Sequence, residues 1–214
     1  MNEVRIPAGR ATLDGNLTIV DGVSALVLFV HGSGSSRLSP RNQFVARMLN
    51  NAGLATLLFD LLTPEEELVD ARTREHRFDI NMLAERLIEA TNWARQEGQT
   101  GDLGIGYFGS STGGGAALLA AAELPGEVGA VVSRGGRPDL AGGALPKVEA
   151  PTLLIVGGED DVVIDLNEKA RAQMQCEVKL EIVPGATHLF EEPGALERVA
   201  QLAGDWFVDH IGRK

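Results

Sequence analysis

The five residues Gly109-Ser110-Ser111-Thr112-Gly113 constrain this chain more than any other stretch. They follow a mostly apolar run beginning at Leu103 and lead into Ala116-Ala117-Leu118-Leu119-Ala120-Ala121-Ala122, which strongly favours helix. A strand that turns sharply into a helix, with serine at the corner and glycine two places to either side, presents that serine at the edge of a sheet. The corner forces strained backbone angles and close chain approach, which glycine tolerates and a Cβ would obstruct. Ser111 is the candidate nucleophile. Its neighbour Ser110 lacks the symmetric glycines.

The flanking sequence alternates strand and helix signals throughout. Val4 to Ile6 and Leu17 to Val20 read as short strands separated by Asp14-Gly15-Asn16, a hairpin turn signal. Ala25 to Val30 has no polar alternation and reads as a strand buried on both faces. Ser39 and Pro40 open a helix with Phe44, Val45, Met48 and Leu49 on one face, and Gly53 ends it. Ala55 to Phe59 is the next strand. Thr63-Pro64-Glu65-Glu66 has capping-box spacing, and Ile80 to Ala94 keeps helical periodicity. Val128 to Val132, Thr152 to Val156 and Val178 to Val183 are further strands. Asp165 with Glu168 reads as the cap of the helix between the last two, and Pro193 starts a closing helix. This alternation predicts a single α/β domain over residues 1–214, with a mostly parallel sheet covered on both sides.

Composition narrows the function classes. A chain of 214 residues, 44% hydrophobic, can fill one core. A formal net charge of −11 argues against nucleic acid or an anionic membrane as partner. A single cysteine, Cys176, excludes an internal disulfide and fits a cytoplasmic setting. The N-terminal residues lack the apolar core of a signal peptide, and no apolar run reaches the ~18 residues of a membrane span. Two glycine patterns imitate nucleotide sites. Gly104-Ile105-Gly106-Tyr107-Phe108-Gly109 occupies the strand itself instead of following one, and Gly32-Ser33-Gly34 has Arg37 where a third glycine is needed. Nothing in the sequence calls for a metal or an organic cofactor.

An activated serine needs a base, an acid and an oxyanion hole. Of the four histidines, His188 follows the last strand in a loop, where its ring can be aimed without disturbing the core. His31 ends a strand beside a glycine loop and is assigned to orienting that loop; His76 and His210 read as surface residues. The acid should follow the strand ending at Val156. Asp160 is the choice, Asp161 competes, and Asp165 is the cap. Backbone amides of Thr112, at the helix start, and of Ser33, in the glycine loop, are the candidate oxyanion donors.

His31-Gly32-Ser33-Gly34, Gly109-Ser110-Ser111-Thr112-Gly113, Gly158-Glu159-Asp160 and Thr187-His188 together resemble the α/β-hydrolase superfamily, in particular its small, lidless dienelactone-hydrolase-like branch. The resemblance covers nearly the whole chain. It implies a three-layer fold with an eight-stranded, mainly parallel sheet and ester hydrolysis through an acyl-serine. Dienelactone hydrolases proper carry cysteine at the nucleophile position; Ser111 here favours a serine carboxylesterase. Only the short segment from Ser133 to Ala150 stands where larger relatives insert a cap domain, so the site is expected to be open. An acyltransferase on the same residues, or a binding protein that has lost its chemistry, are the alternatives. Arg37, Arg41, Arg134 and Arg137 lie in loops at strand carboxyl ends, where they could grip an anionic substrate group, Arg134 above all. Pairing with local acids such as Asp60 or Asp139 is the competing role. The expected partner is a small ester, with the oligomeric state, monomer or homodimer, left open.

Overall fold

The structure is a computed structural model and describes residues 2–211. The chain runs β1 (Asn2–Ala8), β2 (Ala11–Thr18), β3 (Ala25–Val30), α1 (Pro40–Asn51), β4 (Ala55–Phe59), α2 (Pro64–Thr73), α3 (Ile80–Gln96), β5 (Gly104–Ser110) and α4 (Thr112–Glu123). It continues with β6 (Val128–Arg134), a 3-10 segment Pro138–Lys147, β7 (Thr152–Gly157), α5 (Asp161–Arg171), β8 (Val178–Val183) and α6 (Ala195–His210). The eight strands form one sheet in the order β1-β2-β4-β3-β5-β6-β7-β8. β1 and β2 are antiparallel to their neighbours, and every pairing from β4 to β8 is parallel.

The buried strands explain the uninterrupted apolar runs. Leu26, Leu28, Val30, Ile105, Tyr107 and Val131 face α3 and α4. Val27, Phe29, Phe108, Val132 and Ile155 face the other way, against Val45 and Leu49 of α1 and Val199, Ala203 and Phe207 of α6. The central strands β3, β4, β5 and β6 therefore supply both cores, as a sheet covered on two sides requires.

Three local expectations are corrected. The first hairpin turns at Gly9-Arg10, with Gly9 at φ 59°, and Asp14-Gly15-Asn16 lies inside β2. Gly15 serves packing there: a Cβ would meet Val4 Cγ2 at 3.0 Å and Ile6 Cδ1 at 3.3 Å on the paired strand. The second correction concerns α5, which starts at Asp161, four residues before the expected cap. Asp165 sits within the helix and pairs with Lys169 one turn on.

The closing helix α6 starts at Ala195 with Gly194, at φ 81°, in the N-cap position, so Pro193 precedes the helix instead of starting it; the caps of α1 and α2 fall as read. Ser39 accepts from Asn42 N at the start of α1, and Thr63 and Glu66 form a reciprocal capping box on α2. Between β6 and β7 there is only the 3-10 segment, so no cap domain covers the carboxyl edge of the sheet.

Candidate active site

Ser111 stands between β5 and α4 with φ 51° and ψ −123°, a left-handed conformation that costs a non-glycine residue on the order of 1–3 kcal/mol. The glycines flanking it are required by contact. A Cβ on Gly113 would land on the Val30 carbonyl oxygen, and one on Gly109 would lie 2.6 Å from the Gly113 carbonyl oxygen. The corner is pinned through Ser111's backbone. Its N–H donates to the Arg134 carbonyl at 3.2 Å, and its own carbonyl accepts from Gly114 N and Arg137 N, both at 3.0 Å. Ser110 points elsewhere: its hydroxyl donates to Asn42 Oδ1 on α1, at 3.1 Å, and is buried.

His188 lies in the loop after β8, and its Nδ1 is 2.6 Å from Asp160 Oδ2. Asp160 occupies the N-cap position of α5 yet makes no side-chain cap. Its carboxylate is given to His188 instead. Asp161, the first residue of α5, is exposed to solvent. The structure thus brings Asp160, not Asp161, to His188. Gly135 links this pair to the elbow. It follows Arg134, whose carbonyl holds Ser111 N, and a Cβ on it would lie 3.5 Å from His188 Cε1. Ser111 Oγ makes no hydrogen bond to another described residue.

The loop after β3 is held by His31. Leu61 N donates to His31 Nε2 at 3.0 Å, so that nitrogen is bare and Nδ1 carries the proton it donates to the Gly32 carbonyl, also at 3.0 Å. Burial lowers the pKa of His31 and keeps the ring neutral. Fixing the Gly32 carbonyl fixes the opposite end of the same planar peptide, the Ser33 N–H. That N–H points at α4, where it donates to Thr112 Oγ1 at 3.0 Å. A cavity of about 200 Å³ opens beside this loop, with Leu61, Leu62 and Leu83 among its lining and Arg77 and Asp70 in its wall.

The four expected arginines have different surroundings. Arg37 is bound to Asp60 through both its backbone N–H, at 2.7 Å, and its guanidinium. Arg41 pairs with Glu191 at 2.8 Å, with its Nε buried and unpartnered. Arg134 is 8% exposed and has no acidic partner among the described residues, within which Nε and Nη1 are buried without a hydrogen bond. Its guanidinium lies 5.9 Å from the Phe190 ring centroid. Burial, reinforced by the charge of Arg41, holds its pKa down to about 10. Arg137 is paired with Asp139 on two hydrogen bonds. Sequence reading missed three participants. Asn42 steers Ser110 away, the Arg77 carbonyl accepts from Ser33 Oγ, and the Thr112 side chain meets Ser33. None of these carries a motif; each depends on contacts across 44 to 79 residues of chain.

Known proteins resemble this chain over most of its length. The model of the dienelactone hydrolase family matches residues 26–206. A protein of Mycobacterium tuberculosis strain H37Rv, provisionally named a phosphoribosyl transferase, is 58% identical over 209 residues, covering 98% of this chain and 46% of its own length. Its counterpart in strain CDC 1551 matches equally. The chain spans about half the length of the curated relatives it matches. Among solved structures, a dienelactone hydrolase from Anabaena variabilis is 60% identical with a TM-score of 0.97, over 98% of this chain and 97% of that one. A lidless α/β serine hydrolase from Xanthomonas campestris shares the fold at 18% identity and a TM-score of 0.76, covering 100% of this chain and 96% of its own.

Proposed function

This chain belongs to the dienelactone hydrolase family, and from that premise we propose that it is a serine hydrolase cleaving small carboxylic esters or lactones through an acyl-Ser111 intermediate. The observation that carries the reading is Asp160: at the head of a helix it leaves the cap position's usual bond unmade and holds His188 Nδ1 instead. A carboxylate so placed leaves Nε2 as the basic nitrogen and stabilises the imidazolium that forms during reaction.

The chemistry follows from those roles. Ser111 Oγ attacks the ester carbonyl carbon as its proton passes to His188 Nε2. The carbonyl π pair becomes an oxyanion, held by the amides of Thr112 and Ser33. Collapse expels the alkoxide, which takes the proton from His188. Water, deprotonated by the same nitrogen, then releases the acid and restores Ser111. The resting structure has no Ser111 Oγ–His188 hydrogen bond, and this contact tightens as substrate enters. The small cavity beside Ser33, with leucines in its lining, suits a short acyl or alcohol portion. A negative group on the substrate fits Arg134, because a buried guanidinium with unmet donors gains most from a bidentate anion.

A fluorophosphonate probe tests the core of this reading. The adduct is expected on Ser111, and Ser111→Ala should abolish labelling and lower esterase kcat by about 10⁴-fold or more. Undiminished hydrolysis in that variant would overturn the mechanism.

A further inference from the structure

The Ser33 amide, assigned above to the oxyanion, is already occupied. Its N–H donates to Thr112 Oγ1 at 3.0 Å, and the same Oγ1 lies 3.0 Å from Ser33 Oγ. The direction of the second contact can be worked out. Ser33 Oγ is 3.1 Å from the Arg77 carbonyl, which can only accept, so the one proton of Ser33 Oγ goes there. The proton between the two hydroxyls therefore comes from Thr112. Thr112 Oγ1 accepts from the Ser33 amide and donates to the Ser33 hydroxyl, closing a ring between the residue after the nucleophile and the loop opposite it. Thr112 is 5% exposed, whereas Ser33 is exposed and without this partner would offer its N–H to water.

We propose that the Thr112 hydroxyl is a latch on the oxyanion hole, occupying the Ser33 N–H in the resting enzyme and yielding it only to the fully developed oxyanion. The inference rests on the serine-hydrolase reading and deepens it. The Ser33 N–H is directed at Thr112 Oγ1, so turning it toward a substrate oxygen weakens or breaks that bond. A neutral ester carbonyl competes with a neutral hydroxyl on even terms and does not displace it. An oxyanion does, because a hydrogen bond to a charged acceptor is roughly twice as strong as a neutral one. The Thr112 amide at the head of α4 is the donor available to the ground-state carbonyl, and Ser33 is the donor added in the transition state. Such an arrangement withholds one hydrogen bond from the bound substrate, so its effect falls on substrate affinity and leaves the barrier from the bound complex unchanged. His31 is needed for it, since the latch closes only if the Gly32–Ser33 peptide is held in one orientation. Thr112 acts through the Ser33 amide and is a positioning residue in its side chain.

Two measurements on Thr112→Ala and Thr112→Ser decide the matter. The first is water exchange of the Ser33 amide proton by NMR, which needs no substrate. Exchange is expected to be slow in the wild type and in Thr112→Ser, and faster in Thr112→Ala. Fast exchange in the wild type removes the latch outright. The second is hydrolysis of p-nitrophenyl acetate. Freed of its occupant, the Ser33 amide also serves the ground-state carbonyl, so Thr112→Ala should lower KM by about five-fold, the worth of one neutral hydrogen bond, with the change falling on KM and not on kcat. Thr112→Ser should move KM back toward the wild-type value. A fall in kcat at constant KM in Thr112→Ala overturns the proposal, because the hydroxyl would then be an oxyanion donor itself. Failure of serine to restore KM overturns it too, by assigning the effect to the lost methyl group. If the wild type hydrolyses no ester, the serine-hydrolase reading falls by itself, and the exchange measurement alone judges the latch.

Discussion

At the scale of single residues, the candidate site is organised by which polar groups are withheld from ordinary structural work. Asp160 heads a helix and does not cap it. Ser111 holds a left-handed conformation that a glycine would adopt freely. Asp161, one position on, is exposed and free to act as an acid at a helix start, a stabilising arrangement of the ordinary kind. The two aspartates should separate cleanly in kinetics. Asp160→Asn is expected to lower kcat by about 10³–10⁴-fold, because the amide no longer fixes the tautomer or stabilises the imidazolium. Asp161→Asn should stay close to the wild type. The comparison needs only steady-state rates with one ester, and an undiminished Asp160→Asn enzyme would break the Asp160–His188 assignment.

At the scale of elements, the glycines of β5 show how a motif can be legible and still mislead. Gly104, Gly106 and Gly109 have the spacing of a dinucleotide fingerprint, but they lie within β5 itself and make room for what packs on that strand. A Cβ on Gly106 would come within 2.6 Å of Ile211 Cδ1 and 2.8 Å of Phe207 Cε1, so this glycine makes room for α6 and the residue just after it. Gly109 makes room for the backbone of α4. Overpacking of this kind costs about 1–3 kcal/mol, so Gly106→Ala should lower the thermal midpoint by roughly 3–10 °C. Gly143→Ala, in the 3-10 segment with nothing within 4 Å of its added Cβ, is the control and should shift it little. A thermal scan of the two variants is sufficient; equal midpoints would mean that α6 moves aside at no cost. The misplaced hairpin turn and α5 start have the same origin. Asp14-Gly15-Asn16 and Asp165 have turn and cap chemistry, but Gly15 is needed for contact with β1 and the acid at the true helix head is engaged by His188. Apolar periodicity reported which segments are buried, whereas the use of each glycine and aspartate depends on partners far along the chain.

At the scale of the whole molecule, the parallel part of the sheet brings the ends of β3, β5, β6, β7 and β8 to one edge, where Arg134 ends β6 and the connections after the other four strands carry Ser33, Ser111, Asp160 and His188. That parallel strands end on one side was readable from strand–helix alternation, and the elbow motif with the order Ser, Asp, His pointed to which loops would meet there. The electrostatics of the edge were not readable. The chain carries a formal charge of −11, yet Arg134 is a buried cation with no acidic partner among the described residues. These two features act over different ranges. The net charge opposes an anionic ester at a distance and is screened as the Debye length falls from ~30 Å at 0.01 M salt to ~8 Å at 0.15 M. Contact with a buried guanidinium is screened far less. For an ester bearing a carboxylate, kcat/KM should therefore rise between those salt concentrations, while that of its neutral analogue stays flat. Arg134→Ala should remove the preference for the carboxylate at every salt concentration and leave the salt dependence in place, because the net charge scarcely changes. Should both esters lose equally in Arg134→Ala, Arg134 does not read the anion. Should kcat/KM for the anionic ester fall with salt instead, the local field of Arg41 and Arg134, and not the charge of the molecule, governs approach to the site.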